Sequence, residues 1–337
     1  PLTIQSVVLD YEVTDQSVTL SNLDADIFGG QFSGTGQIPR NDQGSDRADV
    51  RWSGLNPQWV LPVAAVSKPI QLSVNTSGQA NWTAPADRVS QPASHRGKIS
   101  LVLQQIQISG QNAGDANLSI SIGPSGLNAE LRGKLFGGDA AVVAKAPLDQ
   151  ISRWRDVPTH LQFSEFSFRD WSIRRLLRTA MIERPRFNGR LSGSVVLDIN
   201  RVDWPTVQTQ IRLDGLTADN ILVARSLDVD LGWDGSRIII DSTRGVYAGG
   251  QLQARGLWTF GPGVKLLTLR LTRADANRIL LPVNQAAASW TDGIVSGRAS
   301  ITGYGDHFGD SIRINGTIDV KNSVVFGVPI GQAHSPL

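Results

Sequence analysis

Four histidines, His95, His160, His307 and His334, are the first residues to weigh for chemistry. A metal site or an acid–base pair needs several such groups at a spacing that brings them together. None of the four stands in an H-E-x-x-H motif or a His-x-His pair. The stretch "GDHFGD" (Gly305–Asp310) gathers Asp306, His307 and Asp310. That is too few ligands for a metal, and a Gly-Asp turn between strands accounts for it. "GRLSGS" lacks the order of a nucleophile elbow. Ser77, Ser192 and Ser296 occupy the same place in three sister segments, each before a glycine, which marks them as structural. There is no cysteine, so thiolate catalysis, disulfides and Cys-based metal sites are excluded. The carboxylates are scattered over polar strand positions. The sequence therefore offers no catalytic residue, no metal site and no cofactor site, and reads as a non-enzyme.

Double glycines are the next candidates. Gly29-Gly30, Gly137-Gly138 and Gly249-Gly250 recur about every 110 residues, in "DIFGGQF", "KLFGGDA" and "VYAGGQL". A phosphate-binding loop would need G-x-x-x-x-G-K-[ST] or G-x-G-x-x-G between a strand and a helix. Neither pattern occurs, and a strand pattern continues after each pair. Glycine inside a strand marks a bulge, a bend or a close backbone approach. The six glycines are thus expected to be structural corners of a curved sheet.

The elements around them are strands. In "SLDVDLGW", Leu227, Val229 and Leu231 share one face, and Asp228 and Asp230 the other. The same alternation groups Val7, Leu9 and Tyr11; Leu118, Ile120 and Ile122; Leu127 and Leu131; and Leu267, Leu269 and Leu271. Successive strand side chains point to opposite faces, so each segment has an apolar and a polar side. These residues are the predicted lining of an apolar groove. Low charge (18%) and 34 glycines support an all-β chain with many turns. At 337 residues it exceeds the usual size of one core. The net charge of +2 demands no nucleic-acid partner. No apolar run reaches the length of a membrane span, and no leader-like segment opens the chain. The chain reads as an excerpt of a longer protein.

A larger period organises the strands. Each repeat carries a double glycine, a strand, a short helix-like segment and a Ser-Gly strand. Residues 1–86 form a first, N-terminally incomplete repeat, 98–202 a second, 203–305 a third, and 306–337 begin a fourth. Residues 87–97, within "APADRVSQPASHRG", read as a linker. The helix-like segments start near Asn56, Asp170 and Asp275, each a plausible N-cap. In the second, "DWSIRRLLRTAMI", Arg174, Arg175 and Arg178 oppose an apolar side and are candidate contacts to an anionic surface.

The glycine corners, the short Leu/Pro-rich helical segments and the Ser-Gly strands together resemble AsmA-like envelope proteins of the AsmA/TamB type. "SLDVDLGWDGSRIIIDSTRGVYAGGQLQARGLW" (Ser226–Trp258) and "NGTIDVKNSVVFGVPIGQAHS" (Asn315–Ser335) carry the resemblance best. It implies an elongated array of mostly antiparallel strands, curled into an apolar trough with one short helix per repeat. It also implies a periplasmic segment of an inner-membrane-anchored protein, with phospholipid as the partner moved between membranes. A second implied role is assembly of outer-membrane proteins, with envelope assembly proteins as partners. Physically, that second role would use an exposed strand edge. An enzyme on a β-solenoid would need a charged cluster on one surface, which the sequence does not display.

Overall fold

A computed structural model describes residues 4–41, 44–61, 70–179, 186–198, 206–234, 236–259, 263–281, 284–305, 311–325 and 328–336. Two compact units divide the chain. Unit 1 comprises residues 1–167 with 179–181, and unit 2 residues 168–178 with 182–337. The fold is all-β, open and antiparallel, with few helices.

Unit 1 contains β1 (Ile4–Val13), β2 (Ser17–Ile27), β3 (Gly30–Pro39), β4 (Ser45–Leu55), β5 (Gln58–Leu61), β6 (Ile70–Pro85), β7 (Arg96–Ile108), β8 (Gln111–Gly123), β9 (Gly126–Leu135) and β10 (Gly138–Ala146). Each strand pairs with the next, except that β4 and β5 both pair with β6. Strand β11 (Gln162–Ser172) then leads into α1 (Ile173–Thr179). Unit 2 continues with β12 (Phe187–Asp198), β13 (Thr206–Ala218), β14 (Ile221–Trp233), β15 (Arg237–Tyr247), β16 (Gly250–Thr259) and β17 (Val264–Asp275). After α2 (Ala276–Leu280) and α3 (Gln285–Ser289) come β18 (Asp292–Tyr304), β19 (Arg313–Val325) and β20 (Val328–Pro336). Strands β12 to β20 form an unbroken antiparallel meander.

The double glycines reverse the chain between strands, whereas the sequence reading made them corners. Phe28 and Gly29 have φ of 51° and 75°, Phe136 and Gly137 52° and 83°, and Ala248 and Gly249 48° and 79°. Two successive left-handed residues between paired strands make a type I′ hairpin turn, whose twist suits the strands it joins. The second glycine then opens the next strand, opposite Ile27, Leu135 or Tyr247. At Gly30 and Gly250 a neighbouring strand passes too close for a side chain. A Cβ on Gly30 would lie 2.4 Å from the carbonyl carbon of Gly54, and one on Gly250 2.5 Å from the carbonyl oxygen of Thr272.

The expected helices are realised in part. Asp275 caps α2 as predicted, its carboxylate accepting from the N–H groups of Asn277 and Arg278. Asp170 instead lies within β11, and Ser172 accepts from the N–H of Arg175 to open α1. After Asn56 the chain forms β5, paired with Ile70–Ser73. Trp59 and Val60 favour a strand, and Pro57 and Pro62 bracket a run too short for a helix. Residues 62–69 lie outside the described residues.

The Ala84–Gly97 segment is packed. It joins β6 to β7, which pair directly across it from Trp82 and Gly97. His95 is 2% exposed. Its Nδ1 accepts from Trp82 Nε1–H at 2.6 Å, its Nε2 donates to the carbonyl of Val89 at 2.7 Å, and Trp154 meets its ring edge-on. Beside it, Ala146, Leu148, Ile151 and Val157 form a small core at this rim of the sheet.

Candidate functional site: the apolar sheet face

Residues paired across an antiparallel ladder share a face. Following the pairs across unit 1 traces three rows over β1–β4 and β6–β10. The first runs Val7, Ala25, Phe32, Trp52, Gly78, Leu101, Leu118, Leu131, Val142. The second runs Leu9, Leu23, Gly34, Val50, Ala80, Ile99, Ile120, Ala129, Ala144. The third runs Tyr11, Leu20, Gly36, Ala48, Trp82, Gly97, Ile122, Leu127, Ala146. Every groove-lining residue predicted in this half of the chain falls on one of these rows. None of the rows contains a charged side chain.

Unit 2 repeats the arrangement over β12–β19. Its rows run Leu191, Leu213, Leu227, Gly245, Leu252, Leu271, Gly297, Ile318; then Gly193, Ile211, Val229, Thr243, Ala254, Leu269, Ala299, Gly316; then Val195, Thr209, Leu231, Ile240, Gly256, Leu267, Ile301, Ile314. The six residues predicted here, Leu227, Val229, Leu231, Leu267, Leu269 and Leu271, are again brought together. Two threonines are the only polar side chains in the three rows. The next row outward holds Trp233, Ile238, Trp258 and Lys265. Lys265 is 5% exposed, donates to the carbonyl of Gly305 and lies over the Trp258 ring at 5.6 Å. The one cation at this margin is thus held against backbone and ring, outside the apolar rows.

The opposite face is polar along its centre, with an apolar row, Ile239, Leu257 and Leu266, toward one margin in unit 2. Its central row is Ser33, Arg51, Gln79, Ser100, Ser119, Glu130 in unit 1, and Ser192, Arg212, Asp228, Arg244, Gln253, Arg270, Arg298, Thr317 in unit 2. Along β16 and β17 Leu252, Ala254, Leu267, Leu269 and Leu271 are half-buried, while Gln251, Gln253, Arg255, Thr268 and Arg270 are exposed. Helix α2 packs on β14, β17 and β18. In β1, Val7, Leu9 and Tyr11 are exposed, at 49%, 53% and 69%.

A device missed in the sequence holds the strands in shape. Gly54, Asp170 and Arg273 have φ of 66°, 57° and 55°, and each N–H donates to a serine hydroxyl on a strand 22 or 23 residues later. The serines are Ser77, Ser192 and Ser296. Each precedes a glycine whose missing side chain leaves room for the adjoining strand: Trp52 lies over Gly78, and Phe168 over Gly193. No spacing within one segment reveals this, because the partners meet only in the folded sheet.

The remaining candidates are dispersed. His160 Nδ1 lies 2.9 Å from the carbonyl oxygen of Asp156 at an exposed position. Asp306, His307 and Asp310 lie outside the described residues. Residue 334 pairs with Asp319 in the β19–β20 ladder. Among the described residues no group of three or more His, Cys, Asp or Glu side chains could hold a metal ion. In α1, Arg175 and Arg178 are exposed and Arg174 is half-buried, its Nε without a hydrogen-bond partner. Trp171 stacks on Phe168 at 4.8 Å. Among the described residues no helix is long and apolar enough to cross a membrane. No protein-family model, curated protein or solved structure matches the chain.

Proposed function

We propose that the apolar face binds phospholipid acyl chains and carries them along the sheet, as a segment of a bridge-like lipid-transfer protein between the inner and outer membranes. The supporting observation is the set of charge-free rows that crosses β1–β4 and β6–β10 in unit 1 and β12–β19 in unit 2. An exposed methylene costs about 0.8 kcal/mol, so a 16-carbon chain in water costs roughly 13 kcal/mol. A continuous apolar lining removes most of that barrier, while headgroups stay in water. Transfer on such a surface needs no catalytic residue. The periplasmic location and the membrane anchor belong to this proposal through the family resemblance.

A charge placed in the rows tests the reading. Full-length protein carrying Leu118→Glu is expected to lose most transfer of a fluorescent phospholipid between donor and acceptor vesicles, with Ser119→Glu on the other face as the control. Equal transfer by both variants would count against it.

A further inference from the structure

The polar side of unit 2 carries a feature that the apolar face does not use. A cavity of about 560 Å³ opens there, lined by Arg244, Arg255, Arg270 and Arg298 and by no carboxylate. Arg270 lies directly opposite Arg298, and Gln253 joins Arg244 to Arg270 across β16. Arg255 is two residues along from Gln253, on the same face. Neighbouring strands stand about 4.8 Å apart, so the four guanidinium groups share a patch roughly 15 Å across. Like charges directly opposite one another destabilise a sheet.

Asp241 stands in the bulge opposite Arg255, and among the described residues no ion pair joins it to the four arginines. Asp228, opposite Arg244, lies against Arg212 at 4.0 Å. Asp230 accepts from Ser242 at 2.7 Å. Among the described residues, none of the four arginines forms an ion pair. Unit 1 provides the contrast: its polar-face cavity, about 760 Å³, places Glu130 beside Arg51 and Arg132, and Arg132 is bonded to Glu130.

Guanidinium groups pair with phosphate oxygens through two parallel N–H bonds, and the cavity has the size of a small-molecule site. A singly charged ion would leave most of the four charges unmatched. We propose that this cavity binds a small polyanion carrying at least two phosphate groups, either free or as the headgroup of a lipid. The inference stands on the polar face alone and is independent of the acyl-chain reading.

Calorimetric titration of the full chain with inorganic tripolyphosphate tests it, together with flotation on phosphatidylcholine vesicles containing a bisphosphorylated phosphoinositide. Binding to at least one probe is expected, weakening as salt rises. The R270Q/R298Q variant is expected to bind at least tenfold more weakly, and R51Q in unit 1 to bind like the native chain. Both substitutions sit on an exposed face, and R270Q/R298Q removes a repulsion, so its melting temperature should equal or exceed the native value. Arginine-dependent binding of vesicles alone assigns a lipid headgroup, and of tripolyphosphate alone a free phosphate compound. Binding to neither probe, or binding that R270Q/R298Q leaves unchanged, overturns the proposal.

Discussion

The hydroxyl of Ser77 accepts a hydrogen bond from the backbone N–H of Gly54 at 3.1 Å, from a strand position where the backbone turns left-handed. The contact recurs between Ser192 and Asp170 and between Ser296 and Arg273, both at 2.9 Å. At each place a left-handed residue turns its N–H to a serine that satisfies it, and at Gly54 and Arg273 the strand register is bulged. In two of the three cases the strand carrying this bulge also passes the glycine that closes a type I′ turn: Gly54 beside Gly30, and Arg273 beside Gly250. Turn, bulge and serine thus form one repeated unit that shapes the sheet.

The serines should therefore matter unequally. An unsatisfied, partly buried N–H costs about 1–3 kcal/mol, and an exposed one much less because water replaces the partner. The Ser77 contact is partly buried, and the Ser192 and Ser296 contacts are exposed. Ser77→Ala is expected to cost about 1–2 kcal/mol in urea unfolding. Ser192→Ala and Ser296→Ala should each cost under about 0.5 kcal/mol. Equal losses at all three sites would contradict this account of the motif.

Adjacent glycines in one turn should respond for different reasons. Gly29 has open space around it and φ of 75°, so Gly29→Ala carries only the left-handed penalty, about 1–2 kcal/mol. At Gly30 a methyl group would collide with the backbone at Gly54 and force the strands apart. Gly30→Ala should cost at least about 3 kcal/mol, beyond the usual range for a point substitution. Thermal melts of the two variants measure the difference.

The β14–β15 turn has an electrostatic signature. The Arg237 side chain donates to the Asp234 carboxylate, and with Ser236 it holds that carboxyl at about 2, well below its ordinary value. A depressed acid adds stability that is present above its unfolded value, near 4, and is lost as pH falls toward 2. NMR titration should find the Asp234 midpoint near 2, and Arg237→Gln should move it up toward the ordinary carboxylate range. An unchanged midpoint in the variant would remove Arg237 as the cause.

The apolar face was legible because a period of two survives everywhere except at bulges. Leu118, Ile120 and Ile122 needed only alternation to be grouped, and the ladder then carried them next to Leu131, Ala129 and Leu127. The hairpin turns were hidden because Phe28, Phe136 and Ala248 stand where Asn, Asp or Gly usually announces a type I′ turn. The Pro/Ser-rich segment before Gly97 looked like a linker because its packing depends on His95 meeting Trp154, 59 residues away in sequence. The arginine cavity was invisible for the same reason: Arg244, Arg270 and Arg298 lie on separate strands, and only the register makes them neighbours.

The most direct test of the lipid-binding face compares Ile120 with Ser121. Ile120 sits in an apolar row between Ile99 and Ala129, and Ser121 points to the other face between Lys98 and Asn128. Both belong to unit 1, whereas the arginine cavity belongs to unit 2. A photo-crosslinking residue would replace each in turn in the full-length protein expressed in cells, and adducts would be identified by mass spectrometry. The account predicts phospholipid adducts at position 120 and none at 121. Adducts at neither position in the folded protein, or equally at both, would contradict it.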